Sequence, residues 1–251
     1  MPRRPTGTLH PTLFAGDEAL SAGFTTRHGG VSKAPFDTLN LGLNTDDDPE
    51  CVVENRRRMA EAAGFEPDAL VIAGQVHGAE MLHADAPGLY PGYDAVVTTT
   101  PGLLLCITAA DCAAVLLADT GAGIVGACHA GWRGTVARVA AHTVAAMVAR
   151  GAEAARIRAY ISPCISAANF EVGEEVAARF DDAHVYRRPD WSRPHVDLKS
   201  ALVAQLTAAG LAPEAIEVAP ECTFAGTRNF FSHRAEQGRT GRMMGFIGLR
   251  S

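Results

Sequence analysis

GIVGACHAGWRGTVARVAAHTVAAMV, residues 123 to 148, decides how this chain is built. Its first part, GIVGA, is a short apolar run without alternation, the pattern of a strand covered on both faces. A glycine turn follows. Then Val136, Val139, Ala140, Thr143, Val144, Met147 and Val148 recur at helical spacing up to Gly151, which predicts an amphipathic helix with one buried stripe. A strand that runs through a tight turn into a helix is a building unit of α/β folds. The same junction sets Cys128, His129, Trp132 and Arg133 close together: a thiol, an imidazole, an indole and a guanidinium.

Working outward, SAGFTTR (21–27) and LVIAGQV (70–76) read as strands, joined by a Gly/Asn-rich loop and a helix. Asp46, Asp47 and Asp48 offer the N-cap of that helix, Pro49 its first turn and Gly64 its stop. Residues 83–129 contain short apolar strands punctuated by PG, GY and TGAG turns. A strand at RIRAYIS (156–162), a helix around EVGEEVAARF (171–180), a helix from Asp197 to Gly210 and the strands IEVAP (216–220) and MMGFIGL (243–249) complete the chain. No repeat or low-complexity linker interrupts it. The expected fold is α/β (α+β), a single-domain layered sandwich over residues 1–251 with a mixed β-sheet flanked by helices. Residues 1–20 are expected as a loosely ordered lead-in.

The chain has 251 residues, 47% hydrophobic, with 28 acidic against 22 basic side chains and a net charge of −6. That balance argues against a sequence-independent grip on nucleic acid or an anionic membrane and favours a small-molecule substrate. The longest apolar stretch, residues 102–118, is interrupted by Asp111, which argues against a membrane span. Six scattered cysteines in a chain of this size read as reduced thiols of a cytoplasmic protein. Arg56, Arg57 and Arg58 are expected on a solvated helix face. The oligomeric state is left open.

Three side chains stand out chemically. His77 ends a strand before Gly78, Cys112 follows Asp111 at the polar break between two apolar strands, and His129 ends GIVGACH. Two imidazoles and one thiolate leave a fourth tetrahedral position open, the pattern of a catalytic rather than a structural zinc, and the same donors suit copper. The separations of 35 and 17 residues match no compact finger. The junction at 131–135 has two readings. Free N–H groups at the start of a helix capped by Thr135, with Gly131, Gly134 and Arg133, would cradle a phosphate; alternatively the glycines make a tight turn, Trp132 packs and Arg133 is solvated.

FTTRHGGVS (24–32), LNLG (39–42), DDP…VVENRRRM (47–59), QVHG (75–78), ADC (110–112), HAGWRGT (129–135), FEVGEEV (170–176) and FFSHRAEQGRTGR (230–242) occur in that order. In these eight strings the chain resembles the polyphenol oxidase/laccase-like family, also known as YfiH-like or multifunctional purine nucleoside enzymes. The resemblance implies zinc held by His77, Cys112 and His129. It also implies phosphorolysis of adenosine, inosine, guanosine or methylthioadenosine, and deamination of adenosine. A zinc ion with an open position lowers the pKa of bound water to ~7, which suits attack at C6 of adenosine. Asp111 is then the expected proton-handling group. For phosphate, one expected cradle is Arg133 with Gly134 and Thr135, and the other is Arg27 with Arg234, Arg239 and Arg242. Asn40 is an expected ribose or base contact. Members have also been described as copper-dependent phenol oxidases and as editors of peptidoglycan precursors. Ala114, Ser162 and His233-Arg234-Ala235 depart from the family pattern. A competing chemistry makes Cys112 a hydrolytic nucleophile, with His129 or His77 as base and Asp111 as orienter.

Overall fold

The computed structural model describes residues 7–251. Along the chain β1 (Thr8–Leu9) and β2 (Leu20–Thr25) precede α1 (Pro49–Ala63). There follow β3 (Leu70–Ala73), β4 (Met81–His83), β5 (Gly88–Tyr90), β6 (Ala95–Thr98), β7 (Leu104–Ala109), β8 (Ala113–Asp119) and β9 (Ile124–Ala130). Next come α2 (Trp132–Val136), α3 (Val139–Val148), β10 (Arg158–Ile161), α4 (Glu174–Ala177), β11 (Val185–Tyr186), β12 (His195–Val196), α5 (Leu198–Ala208), β13 (Ile216–Val218) and β14 (Met243–Leu249).

The chain forms the expected α/β sandwich, with its strands divided between two mixed sheets. One sheet has the order β1-β2-β14-β7-β3-β5, the other β13-β10-β8-β9-β6-β4, and β11 and β12 form a small ribbon. The lack of alternation in the strands now has its cause, because both faces of each sheet are covered. Along β7, Leu105 and Ile107 enter a core with Phe24 and Val71 from their own sheet and Leu116 and Val125 from the other. Their neighbours Leu104 and Cys106 pack with Met59 and Ala60 of α1. In the second sheet Val115 and Leu117 turn outward onto Val144 and Met147 of α3 and Leu202 and Leu206 of α5. The layers therefore run α1, sheet, sheet, α3 with α5, and the inner strands exclude water on both sides.

Helix α1 has the expected ends: Asp48 accepts from the Glu50 N–H, and Gly64 closes the helix at φ 82°. The helix expected from Thr135 onward is instead two pieces. Gly131 is the N-cap of α2, the Thr135 hydroxyl donates back to Gly131 O at 2.9 Å, and Arg138 (φ 59°) breaks the helix before α3. The break separates two packing demands. A Cβ on Gly134 would sit 3.0 Å from His129 O and 3.1 Å from Gly78 O, so α2 presses on the strand end. A Cβ on Gly126 would meet Met147 at 3.0 Å, so α3 presses on the middle of β9. Around 171–180 only Glu174–Ala177 is α-helical. Within the expected lead-in, residues 1–6 lie outside the described residues, whereas Thr8 and Leu9 pair with Thr25 and Phe24. Among the described residues no helix is long and apolar enough to cross a membrane.

Candidate metal centre and its cavity

Sheet register brings two of the three donors together. β8 pairs with β9 so that Ala113 faces Ala130 and Ala114 faces His129, which leaves Cys112 beside the end of β9. His77 arrives from the other sheet, on the turn after β3. One donor atom from each of His77, Cys112 and His129 lies within 4.8 Å of the others. The two imidazoles meet edge to face with centroids 4.8 Å apart. His129 is buried, Cys112 half-buried and His77 exposed, so the group sits at the inner end of an opening rather than in a sealed core. Gln75 (φ 55°), His77 (φ 62°) and Asp111 (φ 84°) all hold left-handed backbone. For such residues that conformation costs about 1–2 kcal/mol each and persists where the surroundings over-determine it. Around Gln75 they do: its Oε1 accepts from the Thr108 N–H at 2.9 Å and hydroxyl at 2.6 Å, and its Nε2 donates to Thr108 O at 2.7 Å.

Sequence reasoning missed Asp94. This carboxylate, which precedes β6, lies 2.8 Å from His129 Nδ1 and accepts the backbone N–H groups of Val76, His77 and Gly78. Nothing near Asp94 in sequence marks it; only the pairing of β6 with β9, Ala95 opposite Cys128, carries it to His129. Burial opposes its charge, but His129 and the Gly78 and Val76 amides outweigh that and hold its carboxyl below the usual range. Burial likewise would raise the Cys112 thiol, yet the adjoining imidazoles, His129 foremost, bring it down to about 6. His129 resists charging because it is buried, and Cys112 and Asp94 together push it up to about 9. Asp94, His129 and Cys112 thus form a chain of alternating charge that stabilises the thiolate.

The donors line a cavity of about 390 Å³, within the usual range of small-molecule pockets. Its walls include Arg56, Arg234, Arg242, His233 and Asp111, with Ile72, Leu89, Ile165 and Phe170 as apolar lining. Arg56 was expected in solvent. Arg57 and Arg58 are exposed and pair with Glu54, but Arg56 leaves the solvated face, donates to Leu41 O at 2.9 Å and lines the cavity. Arg234 lines it too, with its guanidinium over the Phe170 ring.

Other expected contacts lie elsewhere. Gly134 and Thr135 are buried inside α2, where the Thr135 N–H donates to Gly131 O at 2.8 Å, and Arg133 is exposed with its guanidinium 4.3 Å over Trp132. Arg27 is buried and committed to Asp37 O, Thr227 O and Glu236. Asn40 is fully buried and holds the 40–47 loop through Gly42, Thr45, Asp47 and the Arg242 N–H. Arg239 is exposed and outside the cavity wall. Asp111 borders the cavity, yet its oxygens accept from Thr223 at 2.7 Å, Ser232 at 2.8 Å and the Arg234 N–H at 2.7 Å.

The donor set fits a metal ion. Tetrahedral zinc bound to nitrogen and sulfur sets its ligands roughly 3.4–3.7 Å apart, a closure of about 1.4 Å at most from the 4.8 Å arrangement here. Room for it exists because residue 131 has no side chain: a Cβ on Gly131 would lie 2.8 Å from Cys112 Sγ and 3.3 Å from the His77 ring.

The family model described as multi-copper polyphenol oxidoreductase laccase matches residues 21–250. A protein of Deinococcus radiodurans named purine nucleoside phosphorylase is 46% identical over 244 residues, which cover 95% of this chain and 93% of that one. Purine nucleoside phosphorylase ORF3 of Streptomyces griseus is 41% identical, over 90% and 93% of the two chains. The crystal structure of YlmD from Geobacillus stearothermophilus has a TM-score of 0.91 at 35% identity, covering 99% of this chain and 98% of that one. That of the Bacillus licheniformis hypothetical protein YfiH has a TM-score of 0.90 at 32% identity, covering 97% of each. The donor turns, helices α1 to α5 and the strands from β3 onward fall inside the matched residues, and the chain belongs to the multi-copper polyphenol oxidoreductase laccase family.

Proposed function

We propose that this chain is a purine nucleoside phosphorylase that also deaminates adenosine, with zinc held by His77, Cys112 and His129. The observation that carries the proposal is the meeting of these donors at the floor of a cavity walled by arginines, in a chain whose relatives are named for phosphorolysis. When bound, such an ion supplies a Lewis acid and a polarised water at neutral pH. The residues of the chain do the rest. Arg56, Arg234 and Arg242 hold phosphate by charge-assisted hydrogen bonds. Ile72, Leu89 and Phe170 take the apolar faces of the nucleoside and keep water from it. Phosphate oxygen then bonds to ribose C1′ as the C1′–N9 bond breaks, giving ribose 1-phosphate and the free purine, which takes the proton that dihydrogen phosphate gives up; Asp111, which borders the same cavity, is our candidate for handling the proton in deamination. Deamination consumes water and returns inosine and ammonia.

Incubation of the pure protein with adenosine and phosphate tests this directly: adenine, ribose 1-phosphate and inosine are expected, and absence of all three overturns it. Cys112→Ala should abolish stoichiometric zinc, so retention of a full equivalent would refute the ligand assignment.

A second reading rests on the Asp94–His129–Cys112 series, which has the order of a nucleophile, base and orienter. Here Asp94, not Asp111, is the orienter. Amide hydrolysis, including editing of a peptidoglycan precursor, would use it. Trapping of Cys112 by substrate that a chelator leaves unaffected favours this chemistry over the first. Copper-dependent phenol oxidation stands third, since a multi-copper centre needs several donor clusters and, among the described residues, one group of three His/Cys donors lies within reach of an ion.

A further inference from the structure

Three donors from three parts of the chain need something besides the ion to hold them in register. Sheet pairing does this for two of them. β6, β9 and β8 are neighbours, the His129 N–H donates to Asp94 O at 2.7 Å, and Cys112 immediately precedes the β8 residue opposite Ala130. His77 has no ladder to hold it. It lies on an exposed, left-handed turn that follows a strand of the other sheet.

The group that reaches this turn is the Asp94 side chain, which is fully buried. Oδ1 accepts from the His77 N–H at 3.0 Å and from His129 Nδ1 at 2.8 Å; Oδ2 accepts from the Val76 N–H at 2.9 Å and the Gly78 N–H at 2.8 Å. The amides of His77 and of both its neighbours therefore converge on the carboxylate that orients the ring of another donor. Oδ1 itself is shared between the two histidine residues. With Nδ1 donating to Asp94, the His129 nitrogen left to face Cys112 and His77 is Nε2.

We propose that Asp94 is a positioning residue that assembles the donor triad before any ion arrives, fixing the His129 tautomer and the His77 turn through one carboxylate. The inference rests on the metal reading of His77, Cys112 and His129, but its content is a property of the metal-free protein. An amide cannot replace the carboxylate. In Asp94→Asn the new NH₂ faces either His77 N–H and His129 Nδ1–H, or the Val76 and Gly78 N–H groups. The first orientation drives the His129 proton onto Nε2, where it blocks ligation, and the second releases the His77 turn. Carboxylates that support ligating histidines typically change metal affinity by about 10–100-fold.

The test has two arms. In the metal-free wild-type protein, amide hydrogen exchange at Val76, His77 and Gly78 should be slow although the turn is exposed, and imidazole nitrogen shifts of the neutral ring, recorded above pH 9, should place the His129 proton on Nδ1. In Asp94→Asn, zinc affinity by chelator competition should fall by about 10–100-fold, the cobalt-thiolate absorption band should persist, and His77→Ala added to Asp94→Asn should cost less than the two changes taken separately. Affinity within threefold of wild type, or additive losses, would overturn the inference. Should the variant fail to fold, the wild-type arm decides: protected amides support it and freely exchanging ones sink it. Lack of zinc binding by the wild type defeats the metal reading instead, and leaves the amide measurement standing on its own.

Discussion

Asp111 Oδ1 accepts the Ser232 hydroxyl at 2.8 Å, and through this bond the turn before Cys112 is tied to the C-terminal loop that carries His233 and Arg234. With the Thr223 hydroxyl and the Arg234 N–H on the same carboxylate, Asp111→Ala removes the acceptor for three donors. Leaving such groups unsatisfied costs roughly 1–3 kcal/mol each when rearrangement cannot rescue them. Hydroxyl rotation will spare part of that, so a loss of about 3 kcal/mol in urea unfolding of the metal-free protein is expected. A change below about 0.5 kcal/mol would mean that the clamp is not structural.

Gly131→Ala aims at the space between the donors. Its new Cβ would lie 2.8 Å from Cys112 Sγ and 3.3 Å from the His77 ring, while the backbone at Gly131 is extended (φ −74°) and accepts any residue. Metal affinity should fall by at least about 100-fold, or about 2.7 kcal/mol, with the thermal midpoint of the metal-free protein nearly unchanged. Wild-type affinity in this variant would show that the donors do not converge there.

The chain of charge through Asp94, His129 and Cys112 sets a pH signature. Cys112 titrates at about 6 in the folded chain against an ordinary 9.0; this depressed value adds stability above the ordinary pKa that is lost as pH falls through about 6. His129 titrates at about 9 against 6.5; its raised value adds stability below 6.5 that is lost as pH rises through about 9. Between pH 6.5 and 9 the two contributions run in opposite directions, so the pair makes the stability of the metal-free protein nearly level there. Alkylation by iodoacetamide sees the thiolate alone. Its rate at Cys112 should be half-maximal near pH 6, and a midpoint near that of an ordinary thiol would contradict the assigned chain.

Arg56 and Arg133 separate the cavity from the helix start as the phosphate site. Arg56 lines the cavity, whereas Arg133 lies over Trp132 outside it. Arg56→Ala should raise KM for phosphate about tenfold, roughly 1.4 kcal/mol of binding, with a smaller effect on KM for the nucleoside. Arg133→Ala should leave both constants as they are. The reverse pattern would move the anion to α2.

Donor chemistry made His77, Cys112 and His129 legible in the sequence, because an imidazole or thiol at the polar end of an apolar strand has few reasons to be there. The helix ends at Asp48 and Gly64 and the strands at 70, 113, 124 and 243 were legible for the same local reasons of capping and apolar runs. What escaped depends on partners far along the chain. Asp94 acquires its role from strand register, and Arg56 differs from Arg57 only in the side of α1 on which it falls. The break at Arg138 answers to packing at the end and at the middle of β9, and Arg27 and Asn40 look like ligand contacts until their internal hydrogen bonds are seen. Division of the strands between two sheets was equally hidden, since periodicity within a strand is blind to which neighbour it pairs with.

That division has a consequence for severing the chain. A cut in the Thr99–Gly102 turn between β6 and β7, partly open to solvent, would leave His77 with Asp94 on one fragment and Cys112 with His129 on the other. Each sheet would also lose strands to both fragments, so neither piece is a smaller copy of the whole. Only reassociation of the two could rebuild the three-donor set, and a divalent ion would then act as a reporter of complementation between halves that are separately incompetent to capture it.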